Sequence, residues 1–404
     1  MKVRKHRSDL VILFATLALM VIGLVVIYAI GPMRANVLNI AYGGNYDSNY
    51  FFTHHLLSVA VALLVFFAAF KWIPYEVVRK CSKWVMIVGL ALSVLMWILS
   101  LMSSSLVKCE LGACRWFNIA GVSFQPAEIL KIGLVLYLAG LIERKKEEGT
   151  IGKLKDFWMP IGVVSGLSLF FVVILQNDLG TGIAIIAIVL AMIYASGVPK
   201  KQFWILLGII AAAGILAVVT SAHRMERLTT FFGGGDTDAS YHVDNAMLAI
   251  GTGGLFGVGI GNSVQATGYL PESINDSVFA IMGETFGFIG LLVVVLVFAA
   301  ILFRLLKVAE GTPNLERRLV VIGVFAWMAA HVVVNIAAMT GLVPVTGITL
   351  PLLSYGGTSM MFIAFGLGLT LQLSCYTGRE VHDENISSRR GIGGTHHTGR
   401  RRGA

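Results

Sequence analysis

Residues 10–30 have the sequence LVILFATLALMVIGLVVIYAI, a run of 21 positions without a charged side chain. An α-helix needs about 20 mostly apolar residues to cross the hydrocarbon core of a bilayer, so this stretch predicts a transmembrane helix. A short basic segment precedes it, as in a secretory signal peptide. Because the apolar run is too long for such a peptide and lacks a clear small-residue cleavage site, we interpret it as an uncleaved signal anchor.

The composition of the whole chain is that of a membrane protein. Of its 404 residues, 56% are hydrophobic and 13% are charged, and the mean hydropathy is +0.81. A soluble domain carries about 25% charged residues because its surface must be solvated. The soluble globular, disordered and collagen-like classes are therefore excluded.

Nine further apolar stretches follow the first along the chain. The sequence thus predicts an all-α, polytopic membrane protein with ten transmembrane helices. The predicted spans are 10–30, 51–72, 84–102, 124–142, 157–175, 179–196, 203–221, 277–305, 319–340 and 357–376. Cytoplasmic loops retain Lys and Arg, and 25 of the 31 such residues fall on the side of the two termini. Both termini are therefore predicted to be cytoplasmic.

The same charge distribution divides the chain into two regions. Residues 1–376 form the ten-helix transmembrane domain, and residues 377–404, rich in Gly, Arg and His, form a disordered basic cytoplasmic tail. The net charge of +9 is then explained by topology and by a tail near anionic lipid. It is not the footprint of a nucleic-acid partner.

A long extracytoplasmic loop, residues 221–276, separates predicted helices 7 and 8. A loop of this length in a compact protein is usually functional, and its Gly-rich part, residues 245–261, is expected to dip back toward the membrane. Asp236 and Asp238 have the spacing of a metal-binding Asp-x-Asp pattern, although chance matches to so short a pattern are common.

On the same outer side, Cys109 and Cys114 are close in sequence. They could form a local disulfide outside the cytoplasm, and two free thiols without a role explain them equally well.

Charged side chains at membrane depth are functional candidates because burying them is costly. Glu128 and Lys131 lie three residues apart in the fourth span, on one helix face. One interpretation is an intramembrane ion pair that holds helices together. The other is a polar cavity wall in which Lys131 balances an anionic ligand.

Three further candidates lie toward the outer surface. Arg115 precedes the fourth span and could bind a phosphate or pyrophosphate through its planar fork, whereas a tight polar turn explains Asp178 adequately. Asp276 opens the eighth span, either as a helix N-cap or as a general base at the mouth of a membrane cavity. Glu284, deeper on nearly the same face, is expected to be paired with polar groups.

Several longer segments resemble one known family. They are residues 112–116 (GACRW), 125–131 (QPAEILK), 249–257 (AIGTGGLFG), 261–263 (GNS), 269–272 (YLPE), 335–336 (NI), 341–347 (GLVPVTG) and 350–359 (LPLLSYGGTS). In this order they are similar to the SEDS family (shape, elongation, division and sporulation), and the resemblance covers all ten spans. It implies a ten-helix peptidoglycan glycosyltransferase that polymerises lipid II and works with a class B penicillin-binding protein.

The resemblance also implies roles for individual residues. In the family the catalytic carboxylate follows the Leu-Pro-Glu element, which places it at Asp276. The substrate and pyrophosphate site would then comprise Arg115, Glu128, Lys131, Asp178, Glu272 and Ser354.

This chain departs from the family pattern near the site. The family usually has Ser at the position of Ala127, Pro at Asn177 and His-Thr at Ile274 and Asn275, and its division-type members often have Lys at Ala266. These differences put individual substrate contacts in doubt but leave Asp276 in place.

The implied setting is the bacterial cytoplasmic membrane. The YLPE and GNSVQ segments favour the division-type members over the elongation-type members, so division proteins are expected partners and the division site is the expected location. Undecaprenyl pyrophosphate would be the leaving group, with a divalent cation, Mg or Mn, as an optional helper. Two alternatives are a lipid II flippase that uses the same cavity and a non-catalytic division scaffold.

Overall fold

The computed structural model describes residues 7–102, 104–110, 113–119, 122–220, 225, 229, 231 and 238–377. Its helices, in chain order, are α1 Leu10–Tyr42, α2 Tyr50–Phe67, α3 Tyr75–Leu101, α4 Pro126–Glu147, α5 Met159–Leu169, α6 Leu179–Ser196, α7 Lys200–Val219, α8 Asp238–Thr252, α9 Val278–Gly311, α10 Leu315–Met339 and α11 Gly357–Ser374. Turns of π-helix continue α2 through Ala68–Trp72 and flank α5 at Leu154–Trp158 and Phe170–Leu175. All of the predicted tail, residues 377–404, except its first residue lies outside the described residues, as does Asp236 of the Asp-x-Asp pattern.

Nine helices of the described chain are long and apolar enough to cross a membrane, judged by length and composition. The fourth predicted span is also a helix, α4, but it carries Glu128 and Lys131 and ends in a run of basic residues. Packed among the apolar helices, α4 buries most of its first four turns. The chain is thus a helical, multi-pass membrane protein, and the count of ten spans stays a prediction.

Helix α1 extends well beyond its predicted end at residue 30. Asp9 caps its first turn by accepting from the backbone N–H of Val11 and Ile12, and the helix runs through Pro32 to Tyr42 before Gly43 ends it at a φ of 63°. The added turns lie against the chain that leads to α9, where Val37 approaches Gly268. The apolar run thus marked the membrane-crossing part, whereas packing on a loop extends the helix past it.

A small antiparallel sheet, which the all-α prediction did not include, precedes α4. Its strands are β1 Val107–Glu110, β2 Ala113–Ile119 and β3 Val122–Phe124, in the order β1-β2-β3. Cys109 pairs with Cys114 across the first two strands, and a disulfide joins them. The disulfide interpretation is therefore the correct one, and the sheet sets the position of Arg115 on β2.

Helix α9 is broken near its middle. Gly287 has a φ of 69° and a ψ of −170°, a conformation that glycine adopts readily. The backbone groups freed by the break pair with the residues after α8: Val258 N donates to Glu284 O at 2.9 Å, and Phe288 N donates to Gly254 O at 2.9 Å. The Gly-rich segment expected to fold back therefore packs directly against the interruption.

Candidate active site

Asp276 lies in the tight turns that precede α9 and is 6% exposed. Helix α9 begins at Val278 after Ser277, and no side chain caps its first turn. The N-cap interpretation of Asp276 is therefore wrong. Its carboxylate lies 3.5 Å from the Ser277 hydroxyl, and that hydroxyl also donates to Pro271 O at 2.8 Å.

Burial controls the acidity of this carboxyl group. Removal from water disfavours the charged form, and the negative charge of Glu272 adds to this effect; together they raise the pKa of Asp276 to about 7. Hydrogen bonds from the nearby backbone and from Ser277 oppose the shift. A carboxyl with a pKa near the ambient pH is suited to accept a proton from a hydroxyl group.

Arg115, Gln125 and Asp178 meet at a second cluster. Asp178 caps α6 by accepting from the backbone N–H of Thr181 at 3.0 Å and from its hydroxyl at 2.8 Å. The same carboxylate accepts from Gln125 Nε2 at 3.1 Å and lies 3.9 Å from Arg115 Nε. The polar-turn interpretation of Asp178 thus describes its bonding.

The guanidinium of Arg115 is only partly used by these contacts. Its Nη2 donates to Asn177 O at 2.6 Å, whereas its buried Nε has no hydrogen-bond partner within the described chain. Such a group is available to an anion or a water molecule.

Glu128 and Lys131 form the predicted ion pair, with 2.9 Å between Lys131 Nζ and Glu128 Oε1. Lys131 is fully buried, and its Nζ also lies 3.2 Å from His331 Nε2 and 4.8 Å from the centre of the Trp327 ring. Trp327 Nε1 donates to the same His331 nitrogen at 3.2 Å. Because two donors converge on Nε2, the proton of a neutral His331 is on Nδ1, which lies 3.2 Å from Thr349 O.

An irregular segment, Thr346 to Thr349, connects the three clusters, and we call it the linking segment. Gly347 lies beside Arg115, since a Cβ added to this glycine would lie 3.7 Å from Nη1. Ile348 O accepts from Asn335 Nδ2 at 2.7 Å, and the same amide nitrogen donates to Asp276 O at 2.7 Å. The clusters around Arg115, Lys131 and Asp276 therefore belong to one continuous region.

The two remaining predicted site residues have structural contacts. Glu272 adopts a φ of 49°, accepts from Asn275, and lies 3.7 Å from Arg34 of α1. Ser354 Oγ accepts from Leu350 N at 2.8 Å and closes a turn. Glu284 is hydrogen-bonded as expected, since its carboxylate accepts from Ser263 and from the backbone N–H of Val264.

His331 and Trp327 were missed by the sequence reasoning, and Asn335 was noted only within a family segment. A lone His or Trp in an apolar helix carries no local signal. Their spacing does provide a signal, since residues 327, 331 and 335 recur every four positions and so share one face of α10. Within the described residues, no group of three or more His, Cys, Asp or Glu side chains is arranged to hold a metal ion.

Known proteins resemble this chain over most of its length. Stage V sporulation protein E of Bacillus subtilis (strain 168) is 32% identical over 381 residues, covering 93% of this chain and 100% of the relative. A protein of Coxiella burnetii named "Probable peptidoglycan glycosyltransferase FtsW" is 31% identical over 382 residues, covering 91% and 96%.

Two solved structures share the fold. The rod shape determining protein RodA of Thermus thermophilus matches with a TM-score of 0.64 at 24% identity, covering 92% of this chain and 97% of that one. A chain in a structure described as "Structural coordination of polymerization and crosslinking by a peptidoglycan synthase complex" matches with a TM-score of 0.72 at 23% identity, covering 92% and 98%. The sequence profile of the FtsW, RodA and SpoVE family, described as "Cell cycle protein", matches residues 9–378. The chain therefore belongs to the FtsW/RodA/SpoVE family, which is the SEDS family that its sequence segments resemble.

Proposed function

We propose that this chain is a peptidoglycan glycosyltransferase that polymerises lipid II at the outer face of the bacterial cytoplasmic membrane, with Asp276 as the general base. The observation that carries the proposal is Asp276 itself: a buried carboxylate that caps no helix and has a pKa raised to about 7. Several relatives that are 30–31% identical to this chain are named "Probable peptidoglycan glycosyltransferase FtsW".

In the proposed reaction Asp276 takes the proton from the 4-hydroxyl of the acceptor sugar. The freed oxygen attacks the anomeric carbon of the donor and forms the new glycosidic bond with inversion. The bond from that carbon to the pyrophosphate oxygen breaks, and its electron pair leaves with undecaprenyl pyrophosphate. Because this leaving group is already good, the protein supplies mainly position, one base and charge balance.

Arg115 is the cation best placed to receive the pyrophosphate. Its side chain is 26% exposed. Its Nε makes no hydrogen bond within the described chain and only an ionic contact, at 3.9 Å, with Asp178, and a guanidinium can bind phosphate oxygens bidentately. Lys131 is fully buried and bonded to Glu128 and His331, so we assign it to the charge balance of the site wall and not to direct contact. A divalent cation stays an optional helper in this scheme.

The partner that fits this activity is a class B penicillin-binding protein, which would crosslink the strands. The fold is shared with a chain from a structure described as a complex that coordinates polymerization and crosslinking. We also propose that both termini are cytoplasmic, because most Lys and Arg residues fall on their side of the predicted spans. Association with division proteins and location at the division site are proposed as well, since several relatives are named FtsW. A flippase or a scaffold would have no use for a base at this position.

The decisive experiment is polymerisation of lipid II by the purified full-length chain with its partner. We expect glycan strands from the wild type and a loss of about 10²–10⁴-fold with Asp276→Asn, the range that a general base contributes. Asp47→Asn is the matched control, because Asp47 is an exposed carboxylate in the connection between α1 and α2. Equal polymerisation by Asp276→Asn would refute the assignment, and lipid II translocation without polymer would favour the flippase.

A further inference from the structure

Asn335 joins α10 to the turn that carries Asp276 by a hydrogen bond to its backbone. It is 1% exposed, and its Nδ2 donates to Asp276 O and to Ile348 O, each at 2.7 Å. Both amide hydrogens are therefore used. The reversed amide would point its oxygen at two carbonyl oxygens, so these acceptors determine its orientation.

The turn that carries Asp276 needs this hydrogen bond because α9, the helix that follows it, holds the turn in place with few contacts of its own. Helix α9 has no side-chain cap, and Glu272 in the same turn adopts a positive φ. Neighbouring positions are tied to other parts of the chain: Tyr355 N donates to Ile274 O at 2.9 Å, and Ser277 Oγ lies 2.7 Å from His242 Nε2. At Asp276 itself the bond from Asn335 ties the backbone to α10.

The second acceptor of Asn335 extends this connection to the rest of the site. Ile348 belongs to the linking segment, whose Gly347 lies beside Arg115 and whose Thr349 O lies 3.2 Å from His331 Nδ1. His331 and Asn335 are four residues apart and thus one turn apart on α10. One helix face therefore holds the linking segment at two successive carbonyls.

From this geometry we infer that Asn335 is a positioning residue for the transfer reaction. Its single amide holds the backbone of the general base at a set distance from the segment beside the pyrophosphate-binding Arg115. The inference rests on the proposed function. It assigns Asn335 no contact with substrate and no part in proton transfer.

A purely structural role for the same amide leads to different expectations. Two buried carbonyls that lose their donor cost stability, and in that case folding and substrate binding would decline together. A positioning role affects the rate constant above all, because a displacement of about 1 Å at a reacting group can cost about 10²-fold in rate. The split between kcat and KM therefore separates the two roles.

The test uses the full-length chain with its partner and lipid II as substrate. Asn335→Asp keeps the shape but replaces the donor by a group that repels both carbonyls. Asn335→Ser is smaller, places no negative charge in the buried site and can donate to one carbonyl at a time. We expect kcat to fall about 10²-fold in Asn335→Asp. In Asn335→Ser, kcat should lie between that of Asn335→Asp and that of the wild type. KM should stay within about twofold of wild type in both variants.

Thr370→Val is the matched control, since Thr370 is fully buried in α11 and its hydroxyl donates only within the helix, to Gly366 O. It should retain wild-type kcat and KM. If Asn335→Asp does not fold, the kcat and KM of Asn335→Ser alone test the inference. Wild-type kcat in Asn335→Ser, or a parallel loss of lipid II binding and melting temperature, would overturn the inference. A wild-type protein that makes no glycan would instead count against the proposed function.

Discussion

At the residue scale, the chemistry of the site depends on how Asp276 is surrounded. Its carboxyl group is buried, the negative charge of Glu272 in the same turn acts on it, and Glu272 in turn pairs with Arg34 of α1. From α8, His242 faces the Ser277 hydroxyl. Burial is the largest cause of the raised pKa of Asp276, and the charge of Glu272 is the second. Glu272 can therefore raise the pKa of the base without touching the substrate.

This arrangement predicts the pH dependence of the reaction. A general base acts in its deprotonated form, so the polymerisation rate should rise with pH through about 7, the pKa of Asp276. Glu272→Gln removes one cause of the raised pKa of Asp276. The acid limb of the profile, where the rate rises with pH, should therefore move to lower pH. The measurement is the pH profile of kcat for wild type and variant.

Glu310→Gln serves as the control, because Glu310 pairs with Lys307 at the far end of α9. Its profile should coincide with that of the wild type. An acid limb that stays in place, or moves to higher pH, in Glu272→Gln would contradict the assigned electrostatics.

At the element scale, the break in α9 depends on close contact between two backbones. Gly253 follows α8, and a Cβ added there would lie 1.9 Å from Gly283 O. A Cβ at Gly257 would lie 2.2 Å from Thr285 O, and Gly257 itself has a φ of 81°. Only glycine lets the two segments approach closely enough to exchange the hydrogen bonds that the broken helix leaves unmade.

Gly253→Ala should therefore destabilise the protein, by about 1–3 kcal/mol or more, because backbone on both sides must move to admit the methyl group. Gly251→Ala, two residues earlier in α8, is the matched control. A Cβ there meets nothing within 4 Å, and alanine is the better helix former. Thermal unfolding in detergent tests this pair, and equal melting temperatures would show that the close contact does not matter.

At the scale of the whole molecule, the proposed topology separates basic cytoplasmic ends from an outer, catalytic face. At one end of the bundle Arg79 Nε lies 2.8 Å from Glu316 Oε2 and Arg317 lies 3.2 Å from Glu76, which ties α3 to α10. The sheet with its disulfide and the turn of Asp276 occupy the connections that the charge distribution places on the opposite side. The orientation of the membrane protein thus determines which face meets substrate.

Cysteine labelling tests this orientation. Cys81 is an exposed free thiol, Cys375 is buried, and Cys109 and Cys114 are joined. We expect a membrane-impermeant maleimide to label Cys81 in inverted vesicles but not in right-side-out vesicles. After reduction, Cys109 and Cys114 should become reactive in right-side-out vesicles, which provides the positive control. Labelling of Cys81 from the outside would reverse the predicted topology, and Cys81→Ser identifies the labelled site.

The sequence by itself determined the features that depend on local spacing and composition. Apolar runs marked membrane-crossing helices because length and hydropathy suffice for that, and the Glu128–Lys131 pair followed from helical periodicity. Asp276 emerged as the candidate base from the segment around it. The sheet of residues 107–124 was missed, because its short strands lie in a connection that hydropathy describes only as a gap between helices.

Only the tertiary structure decided which distant residues meet. Lys131 and His331 are separated by 200 positions, and Asp276 and Asn335 by 59. No local pattern encodes such pairs, because they depend on how whole helices pack. The break in α9 is similar: Gly287 is tolerated there because the backbone after α8 supplies the missing partners. Periodicity assigns a residue to a helix face, and packing alone decides what that face contacts.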